Sequence, residues 1–317
     1  MASFLQKITS VISTEPVHQV EIDQIPPNSE LVDCSSCPHE CVEHPDYPGY
    51  LDLDNESPLL GSMLPYGRHL MISTGVSDWG ERIEEDHNTL AAEIHRIMNS
   101  DKIYTEQKPN GRIFITNTSM LTTYSTIEGG HDIILLPENI IISNVKVEEA
   151  ELFYQAFLTI PLPTQPVHLQ YYIGTEFKSL IQHKPWDIQW NPYGSMILIC
   201  SHRRRDKRCG ITAPILAREF DHFLRENDIE ENGEHGTVVT MCSHVGGHKY
   251  AGNIIIYTHQ GTRGIWYGRV TPHHCQQIVE KTIIKGKVIK ELYRGAMNHS
   301  FGPISSNNIS CPARIAW

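Results

Sequence analysis

Apolar and polar positions along this chain fall into two similar series, separated by a stretch rich in proline. The first series begins with the run HLMISTGV at His69. It continues through an amphipathic segment whose apolar residues Leu90, Ile94 and Ile97 recur at helical spacing, and then gives three short runs, RIFITNTS, DIILLP and NIIISNV. A second helical pattern, EEAELFYQAFL, closes it. Short apolar runs bounded by turn residues predict strands, and recurrence every three to four residues predicts helices. The order is strand, helix, strand, strand, strand, helix. After the segments IPLPTQPVHL and HKPWDIQWNPYG the same order returns as MILIC, the helix ITAPILAREFDHFLREN, GTVVTMC, NIIIY, GIWYGRV and the helix HHCQQIVEKTI.

The two series superpose at an offset of about 125 residues, with Leu90 on Leu216, Phe114 on Val239 and Val145 on Val270. A β-α-β unit closed by a hairpin and a final helix is the order of a thioredoxin-like domain. The expected fold class is therefore α/β, with two tandem thioredoxin-like domains produced by internal duplication. Two unrelated α/β domains sharing an element order would leave the same pattern. The expected boundaries are an irregular leader at 1–60, a first domain at 61–160, a Pro-rich ordered linker at 161–194, a second domain at 195–285 and a C-terminal tail at 286–317. Pro26, Pro27, Pro45, Pro48 and Pro58 break any long helix in the leader.

A length of 317 residues suits two domains. With 26 Lys and Arg against 37 Asp and Glu the formal charge is -11, which repels a phosphate backbone and argues against nucleic-acid binding. No apolar run approaches the ~20 residues of a membrane span, so no membrane association is expected. Eight cysteines, clustered at Cys34, Cys37 and Cys41 and then from Cys200 onward, do not make a secreted disulfide framework. The first residues carry no basic region followed by an apolar one, so the expected compartment is the cytoplasm, with the nucleus also open to the chain. Eighteen histidines direct attention to metal ligation or proton-coupled chemistry. No hydrolase triad, phosphate loop or dinucleotide fingerprint falls at a strand-helix junction, which favours an electron carrier over a self-contained enzyme.

Where the two series match, the first offers Thr74 to Ser77 and Thr116 to Ser119, with no Cys or His. The second offers Cys200, Cys209 and the run Cys242-Ser243-His244-Val245-Gly246-Gly247-His248. Cys200 and Cys209 bracket the loop SHRRRDKR, and His244 and His248 have the H-x3-H spacing of two-histidine metal sites. In a parallel β-α-β unit the two strand ends lie side by side, so these four side chains can converge. Gly246 and Gly247 permit the positive φ that a wrapped loop needs. Two thiolates and two imidazoles suit tetrahedral zinc and equally a 2Fe-2S cluster. Buried cysteines with hydrogen-bonded histidines and no metal also match. Arg203 to Arg205, with Lys207 and Arg208, form a basic loop on an acidic protein, either a docking surface for an acidic redox partner or simply solvated. Cys34, Cys37 and Cys41, near His39 and His44, could bind zinc or form a redox pair, which leaves a thiol-disulfide oxidoreductase as a further alternative.

The stretch from Ile199-Cys200-Ser201-His202 through Asp206-Lys207-Arg208-Cys209-Gly210-Ile211-Thr212-Ala213-Pro214, with Ser243-His244-Val245-Gly246-Gly247-His248-Lys249 and Trp266-Tyr267-Gly268-Arg269-Val270-Thr271-Pro272, resembles the sucrase/ferredoxin-like family, of the fungal actin-patches-distal type. The resemblance is weaker around Ser57-Pro58-Leu59-Leu60. It implies a thioredoxin-like ferredoxin in the C-terminal half and a 2Fe-2S cluster held by Cys200, Cys209, His244 and His248, a bis-histidinyl arrangement unlike a Rieske centre. It favours the cluster over a zinc-stabilised structural module. The expected role is one-electron transfer coupled to a proton, to and from an unknown redox partner. Cys242 and Cys275 lie outside the motif as small buried hydrophobes, and His202 is either an orienting donor or a loop residue. The terminal Trp317 is similar to the recognition tripeptide of cytosolic iron-sulfur clients, which makes that assembly machinery an expected partner, although Ala316 replaces the usual acidic residue.

Overall fold

The computed structural model describes residues 45–107, 111–160, 162, 181–231, 233–259, 261 and 263–297, with the two-residue segments 31–32, 167–168 and 314–315. After β1 (Leu31–Val32) come β2 (Arg68–Ser73), α1 (Leu90–Ser100), α2 (Lys102–Gln107), β3 (Ile113–Thr118), β4 (His131–Leu136), β5 (Ile140–Val145) and α3 (Ala150–Phe153), which runs on as a π-helical turn to Leu158. β6 (Val167–His168) and β7 (Asp187–Trp190) precede the second series. That series holds β8 (Tyr193–Cys200), α4 (Lys207–Glu226), β9 (Gly233–Cys242), β10 (Ile254–Thr258), β11 (Arg263–Tyr267), α5 (Pro272–Gln277) with a π-helical continuation to Ile284, β12 (Val288–Ile289) and β13 (Tyr293–Ala296). A final pair, β14 (Arg314–Ile315), lies against β6.

The fold is mixed α/β, built on one mixed sheet of 10 strands in the order β13-β11-β10-β8-β9-β3-β2-β4-β5-β7. Read outward from its middle, each half repeats one arrangement. A parallel pair (β2 with β3, β8 with β9) is followed by an antiparallel hairpin (β4 with β5, β10 with β11) and an antiparallel edge strand (β7, β13). The repeat in the hydrophobic pattern is thus also a repeat of strand order. The halves meet where β3 and β9 pair antiparallel at Thr118 and Cys242.

Strand alternation divides the apolar side chains among three cores. Leu70, Ile72, Ile113 and Ile115 pack beneath Leu90, Ile94 and Ile97 of α1. Ile197, Ile199, Ile254 and Ile256 pack beneath Leu216, Phe220 and Phe223 of α4. The intervening residues of both halves, among them Met71, Phe114, Ile134, Met196, Leu198 and Trp266, share a third core. The sheet therefore folds back on itself, with helices outside and the two inner faces in contact. Polar groups inside this shared core are partnered in one chain. Trp266 Nε1 donates to Tyr66 Oη at 3.0 Å, Tyr66 and Tyr257 hydroxyls lie 2.6 Å apart, and His69 bridges Tyr257 Oη at 2.7 Å and Thr116 Oγ1 at 2.8 Å.

Three segments outside the two regular series build this framework. β7 lies in the Pro-rich connection and completes the first half, an edge position that tolerates the flanking Pro185 and Pro192. β13 lies in the tail and completes the second. Residues 45–60 pack on the second half, where Tyr47 Oη donates to Val270 O at 2.7 Å and Asp54 N to Lys249 O at 2.9 Å.

Candidate metal centre at the ends of β8 and β9

β8 and β9 run parallel, and their last residues, Cys200 and Cys242, are register partners. Each strand end therefore delivers its following loop to the same edge of the sheet. The β8 loop ends at Asp206, which caps α4: its carboxylate accepts from Arg208 N at 2.9 Å and pairs with the Arg208 guanidinium at 3.0 and 2.8 Å. Arg208 also donates to Asp52 O at 3.0 Å. This fixes the first turn of α4, so Cys209 faces inward on the same stripe as Ala213, Leu216, Phe220 and Phe223. Gly210 lets Arg203 press against the helix, since a Cβ there would collide with the Arg203 backbone and side chain.

The β9 loop carries the histidines. Gly246 and Gly247 take φ of +85° and +67°, and the turn they make brings the His244 and His248 rings to 5.4 Å between centroids. His202 fastens this loop to the first half of the molecule. Its Nδ1 accepts from the His244 backbone N–H at 3.1 Å, and its Nε2 donates to Gly80 O at 2.8 Å. That pattern sets one neutral tautomer on a ring that is 1 % exposed and packed edge-on against Trp79. The first half also supplies Ser77 O, which accepts from Ser201 Oγ at 2.7 Å, and Asp78 Oδ1, which accepts from Arg204 N at 3.1 Å.

Cys200, Cys209 and Cys242 are free and fully enclosed. The Cys209 thiol beside it holds Cys200 well below the ordinary thiol range, against burial and helped by the His244 imidazole, whereas Cys209 itself is pushed up. One member of this thiol pair thus gives up its proton far more readily than the other. Burial pushes Cys242 up and keeps it a thiol. Burial also lowers His248, although Asp206, 4.0 Å from its Nε2, opposes the shift. Among the described residues neither His244 Nδ1 nor His248 Nδ1, both buried, has a hydrogen-bond partner. Cys200 interacts with both Cys209 and His244, and the His244 ring lies beside that of His248. Among the described residues no group of three or more His, Cys, Asp and Glu stands ready to hold a metal ion.

The structure thus brings all four predicted side chains to one sheet edge and makes His202 a buried orienting group. Two neighbours carried no motif. Asn253 takes the Cys200 N–H on its carbonyl at 3.0 Å and donates from Nδ2 to Gly247 O at 2.9 Å, and Arg294 reaches the same loop from β13. Cys34, Cys37, Cys41 and Trp317 lie outside the described residues. No described helix is long and apolar enough to cross a membrane.

Residues 59–295 match the family model described as sucrase/ferredoxin-like. Altered inheritance of mitochondria protein 32 of Clavispora lusitaniae is 31 % identical over 281 residues, 86 % of this chain and 95 % of that protein. Its namesake in Debaryomyces hansenii is 31 % identical over 268 residues, 81 % of this chain and 92 % of that protein. Actin patches distal protein 1 of Saccharomyces cerevisiae is 28 % identical over 262 residues, covering 79 % and 80 % of the two chains. No solved structure matches the chain. The match spans both halves of the sheet and every residue of the candidate centre, and the chain belongs to the sucrase/ferredoxin-like family.

Proposed function

We propose that the chain is an electron-transfer protein whose C-terminal half is a thioredoxin-like ferredoxin, with a 2Fe-2S cluster held by Cys200, Cys209, His244 and His248. The observation that carries this reading is the pair of buried imidazole Nδ1 atoms without partners, beside a buried thiol pair whose Cys200 member is shifted toward the thiolate. A buried nitrogen left unpaired costs about 1–3 kcal/mol, a cost that coordination removes. Zinc needs all four donors around one atom at roughly 2.0–2.3 Å. Two thiols and two imidazoles are a donor set that a 2Fe-2S cluster would take. When bound, such a cluster supplies one-electron oxidation and reduction.

The chain's own residues do the rest. Cys200 and Cys209 provide negative charge in an enclosed site. His202 sets the position of His244 through its backbone, and Asp206 lies against His248 Nε2. Were the cluster held through Nδ1, Nε2 of His248, whose side chain is 45 % exposed, would be the nitrogen left to exchange a proton with solvent. Arg203, Arg204 and Lys207, all exposed, form the surface on which an acidic redox partner docks.

Protein made with ample iron and purified without oxygen is expected to be red-brown, to carry about two iron and two acid-labile sulfide per chain, and to give an EPR signal only when reduced. A colourless product with stoichiometric zinc and no sulfide overturns the reading in favour of a zinc-stabilised module.

A further inference from the structure

Arg294 of β13 is fully buried, and every acceptor it has is neutral. Nε donates to Ser62 Oγ at 3.0 Å, Nη2 to Ser62 O at 2.8 Å, and Nη1 to Asn253 Oδ1 at 2.8 Å and Gly246 O at 3.2 Å. Its guanidinium carbon lies 5.6 Å from the ring centres of both Tyr250 and Trp266. No carboxylate among the described residues pairs with it. Arg68, equally buried in the sheet, has Glu138. Burial lowers the Arg294 pKa to about 10, which still leaves a cation at neutral pH. A buried charge without an opposite charge is strongly unfavourable, so a fold that keeps one has a negative charge to place beside it.

The position of Arg294 identifies that charge. It bonds the Gly246 carbonyl midway between His244 and His248, and a side chain at Gly247 would collide with its Nη2. Through Asn253 it is one residue removed from the Cys200 backbone. Of the ionisable groups around it Tyr250 acts on it most, with the Cys200 and Cys209 thiols next.

We infer that Arg294 is the fixed counter-charge of the Cys200, Cys209, His244 and His248 centre and raises its reduction potential. This rests on the cluster reading above. One electron from an external one-electron donor makes the centre more negative by one charge. No bond of Arg294 changes and no proton leaves it. The cation, held in place before the electron arrives, favours the reduced state without reorganisation.

The test is a spectroelectrochemical titration of the full chain as wild type, Arg294→Gln and Arg294→Lys, after iron and sulfide are counted in each. At a fixed electrode potential Arg294→Gln is expected to lower the reduced-to-oxidised ratio by about tenfold or more, equivalent to about 59 mV for one electron. Arg294→Lys keeps the charge and most of the ratio. A ratio unmoved in Arg294→Gln, or moved equally in both variants, overturns the inference and leaves Arg294 as a brace for the loop. If Arg294→Gln does not fold, Asn253→Asp neutralises the guanidinium in place and lowers the ratio in the same direction, and an unchanged ratio there also overturns it. A wild type that contains zinc and no sulfide removes the cluster reading and this inference together, whereas a coloured wild type with an unmoved ratio removes only the role of Arg294.

Discussion

Thr118 and Cys242 face each other across the only register pair between β3 and β9, and the bonds on either side of them are reciprocal. Ser119 N donates to Met241 O and Ser243 N to Asn117 O, both at 2.9 Å. The serine hydroxyls repeat the exchange, with Ser119 Oγ accepting from Met241 N at 3.0 Å and Ser243 Oγ from Asn117 N at 3.1 Å. Each half therefore gives the other what it receives, as the two subunits of a twofold dimer do.

That reciprocity predicts a graded pair of effects. Ser243→Ala leaves the buried Asn117 N–H without its hydroxyl partner and is expected to cost about 1–2 kcal/mol, while Ser119→Ala, at the more exposed end, costs less. Denaturant unfolding of the two variants checks this, and a larger loss for Ser119→Ala contradicts it.

The ligand assignment predicts that Cys200→Ser and Cys209→Ser lose the visible chromophore, whereas Cys242→Ser and Cys275→Ser retain it. His244→Cys and His248→Cys keep a cluster at lower potential, because a thiolate brings more negative charge than an imidazole. The wild-type midpoint should fall as pH rises, with a limiting slope near ~59 mV per pH unit, and His244→Cys should flatten that dependence. Unchanged spectra in His244→Ala and His248→Ala would refute the assignment.

His202 joins the loop after β2 to the loop after β9, so its removal separates them. His202→Phe keeps the ring against Trp79 but strands Gly80 O and the His244 N–H, at an expected cost of about 2–4 kcal/mol. Iron content after purification should fall along with the unfolding midpoint. A variant that keeps normal stability and full iron would show that the loop is positioned by other contacts.

Acid lability follows from His69. Its ring is completely buried, and desolvation holds its pKa well below the ordinary value, so the native state refuses a proton that the unfolded chain accepts near pH 6.5. Because the unfolded state binds more protons there, stability is full above about pH 6.5 and declines below it, by up to ~1.4 kcal/mol per pH unit from this residue. His69→Gln should be less stable at pH 8 and show a shallower loss between pH 6.5 and 5 in urea titrations. Parallel profiles for the two proteins would assign the acid lability elsewhere.

Much of this molecule is legible in its sequence because its signals are periodic or punctuated. MILIC and NIIIY read as strands because strands buried on both faces are apolar without interruption. The stripe from Ala213 to Phe223 reads as a helix because its spacing survives even Pro214, whereas the first turn from Lys207, which takes in Cys209, reads as loop. The four candidate ligands stand out because Cys and His at those intervals have few other uses. β7 and β13 are not legible: four residues at a sheet edge carry too little alternation, and in β13 the decisive residue is a buried arginine where the pattern would call for an apolar one. Asn253 and the Trp79-Gly80 carbonyls are invisible for another reason, since their contribution lies in backbone position and depends on chain brought together from far apart.

In a pair of identical subunits every substitution is expressed twice, so neither site can change without the other. The reciprocal junction at Thr118 and Cys242 joins two halves encoded separately in one chain, so each can carry residues that the other does not. The first half holds Ser73 where its counterpart holds Cys200, and its Ser77, Asp78 and Gly80 form the wall on which the other half's loops are fastened. The first half is thus a permanent subunit of the half that carries the candidate centre, and a fragment starting at Tyr193 would lack one side of that candidate site.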